Sequence, residues 1–291
     1  MKFASFMRDG QATFGMVTTA GVVDAGPRVG GRFTDLRAAI AADALQEVAE
    51  LCSDHDADIA SDEVRFLPVI PQPGKIFCVG INYVAHREET GRAATSEPTI
   101  FTRFPDTLVG HGQPIVQPAV SGMLDYECEL AVIIGKGGRH IQKPHAMDHV
   151  AGFSCFNDGS VRDWQTHTSQ FTPGKNFPCT AGFGPYLVTR DDVGDVHDLD
   201  IQTRLNDEVM QSSNTGLLIF DIPALIEYLS AFTVLSPGDI IATGTPGGVG
   251  SKRDPAVFLQ PGDEVTGESE TVGTLRNPSV ADRMASSPNT A

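Results

Sequence analysis

Leu124-Asp125-Tyr126-Glu127-Cys128-Glu129-Leu130-Ala131-Val132-Ile133-Ile134 is a run of apolar, strand-favouring residues broken by two glutamates one residue apart. Read as a strand, it sends successive side chains to opposite faces. Glu127 and Glu129 then share one face, while Tyr126, Cys128, Leu130, Val132 and Ile134 line the other. The apolar face can pack a core. The acidic face holds two like charges close together, which is destabilising unless a cation or a proton compensates them. Asp158 adds a third carboxylate, in Phe156-Asn157-Asp158-Gly159-Ser160, where a turn signal ends the apolar stretch from Val150 to Phe156. Three carboxylates with no His or Cys ligand spacing beside them suit Mg²⁺ or Mn²⁺ better than zinc. A solvated strand face and an unrelated turn aspartate would give the same letters, so the rest of the chain has to decide.

Outward from this run, the pattern is one of short apolar segments separated by Gly and Pro turns. Ile76–Gly80 reads as a buried strand, followed by a helical stretch to Thr90 that Gly91 can terminate. Before it, residues 67–75 carry three prolines, which neither a helix nor an interior strand accommodates, and a domain boundary is placed there. Residues 1–70 read as a small N-terminal domain with a helix from Thr34 to Cys52. Residues 71–280 form the second domain, and residues 281–291 a disordered tail. On the other side, Gly135-Lys136-Gly137-Gly138 reads as a hairpin turn. Helices are expected over Val161 to Gln170, capped by Ser160 with Asp163 completing a capping box, and over Ile222 to Ala231. The pattern is β-rich α+β, without the strand and helix alternation of a doubly wound fold.

Composition limits the partners. The 291 residues carry 21 basic and 37 acidic side chains, for a formal net charge of -16, and 41% are hydrophobic. Such a field opposes binding to nucleic acid, and no apolar run approaches a membrane span. Five scattered cysteines and an N-terminus without a signal-peptide pattern point to the cytoplasm. Any anionic ligand would need a local island of positive charge.

Several residues can supply it and the accompanying chemistry. His86 and Glu89 lie three apart on the expected helix, close enough for the carboxylate to orient the imidazole as a general base. An ordinary exposed helix face is the competing reading. Arg162 and Gln165 share one side of the next helix, and Lys175 follows in Gly174-Lys175-Asn176. Each of the cations can equally be a surface charge or an ion-pair partner. The loop Thr243-Gly244-Thr245-Pro246-Gly247-Gly248-Val249-Gly250 lacks the Gly-Lys-Ser/Thr of a phosphate loop. Its glycines let backbone amides and the Thr245 hydroxyl approach a ligand closely, unless the loop is only a structural turn.

Taken in order, Cys78-Val79-Gly80-Ile81-Asn82-Tyr83 with His86 and Glu89, Asp125-Tyr126-Glu127-Cys128-Glu129-Leu130, Asn157-Asp158 with Arg162-Asp163-Trp164-Gln165, Gly174-Lys175, and Pro237-Gly238-Asp239 through Gly250 resemble the fumarylacetoacetate hydrolase family over residues 71 to 277. The resemblance implies that family's mixed β-sandwich or β-roll catalytic domain, a homodimer, and Mg²⁺ or Mn²⁺ on Glu127, Glu129 and Asp158. It implies a small diketo acid as substrate, with carbon-carbon hydrolysis of an acylpyruvate as the leading reaction. Oxaloacetate decarboxylation or enol-keto isomerisation is the alternative, and a non-catalytic binding protein the alternative of another class. His86 with Glu89 would activate water, Lys175 would stabilise developing charge, and Arg162, Gln165 and Thr245 would hold the substrate. Arg103 stands where many relatives carry lysine, and either binds a second substrate carboxylate or pairs with an acid such as Asp106.

Overall fold

The computed structural model describes residues 1–282, so the tail expected over 281–291 lies almost wholly outside the described residues. Cys128–Ile134 is the centre of the architecture. It pairs antiparallel with Val150–Asn157 on one side and with Ile240–Ala242 on the other, and all seven of its residues are buried. A twelve-stranded sheet extends from it. In one direction Val150–Asn157 leads to Ala181–Thr189 and then to the N-terminal strands Lys2–Arg8, Gln11–Val17, Gly21–Asp24 and Ile59–Ala60. In the other, Ile240–Ala242 runs parallel to Ile76–Gly80, which pairs with Thr99–Arg103. A five-stranded sheet, ordered Glu208–Asn214, Asp200–Leu205, Glu264–Ser269, Gly273–Ala281 and Ile115–Gln117, packs against the large one. Leu275 of the smaller sheet joins Phe153 and Val188 of the larger in one core. The β-rich α+β class is as expected.

Both faces of the central strand are covered. Leu130, Val132 and Ile134 pack with Leu225, Ile226 and Leu229 of the helix Ile222–Phe232, while Ala131 and Ile133 join Val48 and Cys52 of the N-terminal helices. Each of the Leu, Ile and Val side chains among them contributes roughly 1.5–3 kcal/mol on full burial. Only the start of the strand departs from this pattern, because Glu127 and Glu129 open toward a cavity at the end of the sheet.

The residues before the proline-rich stretch do not build a separate sheet. Phe3 pairs with Leu187, and Phe3, Phe14 and Leu36 share a core with Phe156 and Phe183. Pairing the N-terminal strand with Ala181–Thr189 satisfies backbone groups that an independent domain would leave along an edge.

Local expectations were met unevenly. Helix Val84–Thr90 ends at Gly91, whose φ of +65° is left-handed, and helix Ile222–Phe232 is capped by the Asp221 side chain, which accepts from the Ala224 amide at 2.8 Å. The helix expected from Thr34 divides into Leu36–Ala41 and Leu45–Ser53 around Asp43, which has a positive φ. The helix expected over 161–170 is a single turn, Arg162–Gln165. Ser160 is not its cap, because its hydroxyl donates to the Asp158 carbonyl, and Asp163 accepts from Ser121. Gly135 to Gly138 make no tight hairpin: Gly138 bridges to Leu235, and the chain passes through the 3₁₀ turn Lys143–His149 before returning.

Candidate metal centre and active site

The first break from ideal strand geometry creates the site. Leu124–Asp125 pairs with Ser160–Val161 as a separate two-residue ladder, and the long strand begins only at Cys128. Tyr126 and Glu127 form the joint between them. The Asn157 side chain accepts from the Glu127 amide at 2.9 Å, and the Asp158 amide donates to the Glu127 carbonyl at 2.8 Å. These two bonds bring Asp158 beside the glutamates. Carboxylate oxygens of Glu127, Glu129 and Asp158 lie within 4.8 Å of one another, and all three residues are buried.

Three cations approach this cluster from behind and from the side. Lys175, only 1% exposed, donates to Glu127 Oε2 at 2.7 Å and to Asp158 Oδ2 at 2.6 Å. Arg162 donates through Nη1 to Glu127 Oε1 at 2.6 Å and through Nε to Asp125 Oδ2 at 2.7 Å. Arg103 pairs with Asp158 and donates to the Gly159 carbonyl at 3.0 Å and to Thr180 Oγ1 at 2.8 Å. Four carboxylates therefore face three cations, leaving one negative charge uncompensated in a buried place. Glu129 is where it falls. Its carboxylate accepts one backbone hydrogen bond, from Gly244 at 2.8 Å, and has no cation partner among the described residues.

The electrostatics follow from that asymmetry. Burial alone would raise Glu127, but Lys175 and then Arg162 outweigh it and hold its carboxyl below the ordinary range. Glu129 goes the other way: burial, then Asp158 and Glu127, push it well above the ordinary range. For Lys175, burial works against the charged form, yet Asp158 and Glu127 keep it raised and therefore a cation. An all-oxygen cluster with one uncompensated charge and an under-bonded glutamate fits a hard divalent cation, which Glu127, Glu129 and Asp158 would hold.

Opposite the cluster stands His86, on the helix Val84–Thr90. Its Nδ1 is 2.6 Å from Glu89 Oε1, and Glu89 Oε2 accepts from the Gly248 amide at 2.8 Å. The pair is thus tied to the glycine-rich loop, leaving His86 Nε2 free for the cavity. That cavity, of about 260 Å³, is lined by His86, Glu127, Glu129, Arg162, Gln165, Lys175 and Thr245, among others. Glu89 and Asp158 stand behind its wall. The expected site residues therefore converge, with two changes of role.

Arg103 is one change. Its side chain has no exposed surface and does not line the cavity; it clamps Asp158, and Asp106 is not its partner. Fork geometry suits a carboxylate wherever it lies, and the nearest one is the protein's own. The glycine-rich loop is the other. Three of its amides, and that of Ser251 just after it, donate to protein carboxylates: Gly244 to Glu129, Gly248 to Glu89, and Gly250 with Ser251 to Asp125. The Thr245 hydroxyl donates to the Cys128 carbonyl at 3.0 Å and accepts from Gln211 at 2.8 Å. Glycine is needed for this packing: a Cβ on Gly248, at φ +102°, would lie 2.4 Å from the Met210 carbonyl oxygen.

Three contributors escaped the sequence reading. Asp125 shares strand parity with Glu127 and Glu129, a signal that could have marked it as the anchor of Arg162. Gln211, which organises Cys128 and Thr245, carries no comparable signal. Ile81 lines the cavity with a φ of +61°, a genuine outlier for a β-branched residue. It is held there by Asn82, whose side chain donates to the Phe220 and Thr243 carbonyls and accepts from the Phe220 amide.

Comparison with known proteins agrees with this arrangement. The model of the fumarylacetoacetate (FAA) hydrolase C-terminal family matches residues 75–280. The mitochondrial oxaloacetate tautomerase FAHD2A of Bos taurus is 48% identical over 217 residues, covering 74% of this chain and 69% of that protein. Among solved structures, the fumarylacetoacetate hydrolase of Exiguobacterium antarcticum superposes with a TM-score of 0.84 at 36% identity, covering 97% of this chain and all of that one. The maleylpyruvate hydrolase of Sphingobium sp. SYK-6, in complex with manganese(II) and pyruvate, gives 0.82 at 30% identity, with 97% and 100% covered. The family match, the identity and the shared fold agree: this chain belongs to the fumarylacetoacetate hydrolase family.

Proposed function

We propose that the protein interconverts the enol and keto forms of a small 2-oxo diacid such as oxaloacetate, with Mg²⁺ or Mn²⁺ as its metal. The observation that carries this reading is a histidine paired with a carboxylate on the same small cavity as a buried, under-compensated carboxylate cluster. The choice of isomerisation over carbon-carbon cleavage is supported by relatives named oxaloacetate tautomerases at 41 to 48% identity. The hydrolases whose structures are similar stand at 36% and 30%.

When bound, the divalent cation would supply a Lewis acid for the carboxylate and 2-oxo oxygens of the substrate. The chain's own residues do the rest. His86 Nε2 moves the proton at C3, taking it in one direction and returning it in the other, while Glu89 fixes Nδ1 and stabilises the protonated ring. Lys175 and Arg162 offset the negative charge that gathers on the oxygen at C2. Only one proton is relocated between oxygen and C3, so no water is consumed. In the second reading, acylpyruvate hydrolysis, the same His86 would instead activate water; the likeness to the maleylpyruvate hydrolase favours it. Decarboxylation of oxaloacetate needs no attacking water, and the enolate that remains takes up one proton at C3.

Among the described residues no helix is long and apolar enough to cross a membrane, and all five cysteines are free. The relatives are named as mitochondrial, so the compartment is widened from the cytoplasm to a reducing compartment of either kind. We retain the homodimer, and the absence of nucleic-acid and membrane partners, as part of this proposal.

The deciding experiment follows ultraviolet loss of enol-oxaloacetate with Mg²⁺, with Mn²⁺ and after chelation, alongside CO₂ release and pyruvate release from acetylpyruvate. Metal-dependent ketonisation without CO₂ establishes the tautomerase. Pyruvate from acetylpyruvate would move the function to hydrolysis, CO₂ to decarboxylation, and metal binding with no turnover to a binding protein.

A further inference from the structure

Two cations on the cavity have no role in the chemistry above. Arg92 follows the Gly91 cap of the helix that carries His86, and Lys252 closes the 3₁₀ turn Gly250–Lys252. Both line the cavity and are exposed at its mouth. Among the described residues neither side chain makes an ion pair or hydrogen bond. Their chain has 37 acidic residues against 21 basic ones, so acidic partners are not scarce. The acid on the same rim, Asp163, is already held by the Ser121 hydroxyl at 2.7 Å and the Trp164 amide at 3.0 Å.

An aromatic wall joins this rim to the floor. Phe101 lies 5.0 Å from Lys175 Nζ, Phe171 packs edge-on against Phe101 at 5.7 Å, and the Arg92 guanidinium sits 5.8 Å from the Phe171 ring. The cavity is thus charged at both ends and apolar along one side. A ligand matched to it has two anionic groups on a short hydrocarbon framework, and the stacked, planar Arg92 fork suits a carboxylate.

We propose that Arg92 and Lys252 form the subsite for the second carboxylate of the substrate, selecting 2-oxo diacids over 2-oxo monoacids. This rests on the reading that a 2-oxo acid head binds at the carboxylate cluster. Because Arg92 adjoins the His86 helix, docking the far carboxylate also helps to hold that helix against the cavity. Both cations remain solvent-accessible, so the effect is moderate and salt-dependent.

The test is calorimetric binding to the Mg²⁺-loaded full chain, using pyruvate as the head alone and oxaloacetate and 2-oxoadipate as diacids with near and distant second carboxylates. Arg92→Gln and Lys252→Gln should each weaken the better diacid by roughly three- to tenfold and leave pyruvate unchanged, with the loss shrinking as salt rises and Arg92→Lys recovering part of it. The diacid that loses more reports the spacing of the subsite. Equal weakening of pyruvate and diacids, or diacid binding that ignores both substitutions, would overturn the proposal alone. A wild-type protein that binds no pyruvate with Mg²⁺ would overturn the parent reading and this one with it.

Discussion

The two halves of the site are built in opposite ways. The carboxylate floor grows from the end of a buried central strand, and Lys175, Arg162 and Arg103 hold it through a network of short charged hydrogen bonds. The His86 wall is a seven-residue helix with no side-chain N-cap, hydrogen-bonded to the loop through Glu89 and the Gly248 amide, with Ala85 packed close to Gly247. Isolated helices of that length are unstable in water, so the wall depends on what it leans against. The part that holds charge is thus fixed by a network of ion pairs, and the part that moves a proton by the His86–Glu89 pair and its tether to the loop.

Substitutions can break this division. Glu129→Gln keeps an oxygen to accept the Gly244 amide but removes the uncompensated charge, so we expect metal affinity, read by Mn²⁺ calorimetry, to collapse and turnover to fall at least ~10³-fold. His86→Gln should lower kcat by about 10²- to 10⁴-fold with metal affinity unchanged. Loss of metal binding in that variant would mean that floor and wall are one unit. Gly248→Ala acts between them. Its left-handed backbone and the crowding against Met210 should cost about 1–3 kcal/mol of stability, and kcat should fall about tenfold through a displaced Glu89. A normal kcat there would show that the Glu89 tether is dispensable.

The smallest effect concerns neither half. Burial tends to raise Asp58, but the hydrogen bonds from the Asp24 amide and Arg28 prevail and hold it below its ordinary value of 3.8. A carboxyl lowered on folding stabilises the protein above that value, and the contribution is lost as the pH falls through the lower folded one. The site is near the surface and screened, so Asp58→Asn should lower the melting temperature slightly at neutral pH, with the gap closing in acid and enol turnover unchanged. A gap that persisted in acid would assign the effect to packing.

Much of this site was legible because strand parity and spacing are local. Glu127 and Glu129 had to share a face, His86 had to reach Glu89, and the order of motifs marked the family. The single turn at Arg162 was not legible: Thr166 folds its hydroxyl back onto the Arg162 and Asp163 carbonyls, and Ser160 turns to Asp158 instead of capping. The partner of the N-terminal strand was not legible either, since a proline-rich stretch ends local structure but says nothing about which distant edge a strand will pair with.

The sequence by itself determined the buried central strand, the shared face of Glu127 and Glu129 and the histidine pair, because each rests on a periodicity of two or of 3.6 residues; Asp158 joins the glutamates only through the tertiary hydrogen bonds at Asn157 and Glu127. Tertiary structure alone decided where the cations go. Arg103 and the loop amides serve the protein's own carboxylates, and Arg92 and Lys252 are left for a ligand. A charge chooses its partner by distance in space, and residues 55 positions apart, such as Arg103 and Asp158, become neighbours only when the sheet closes.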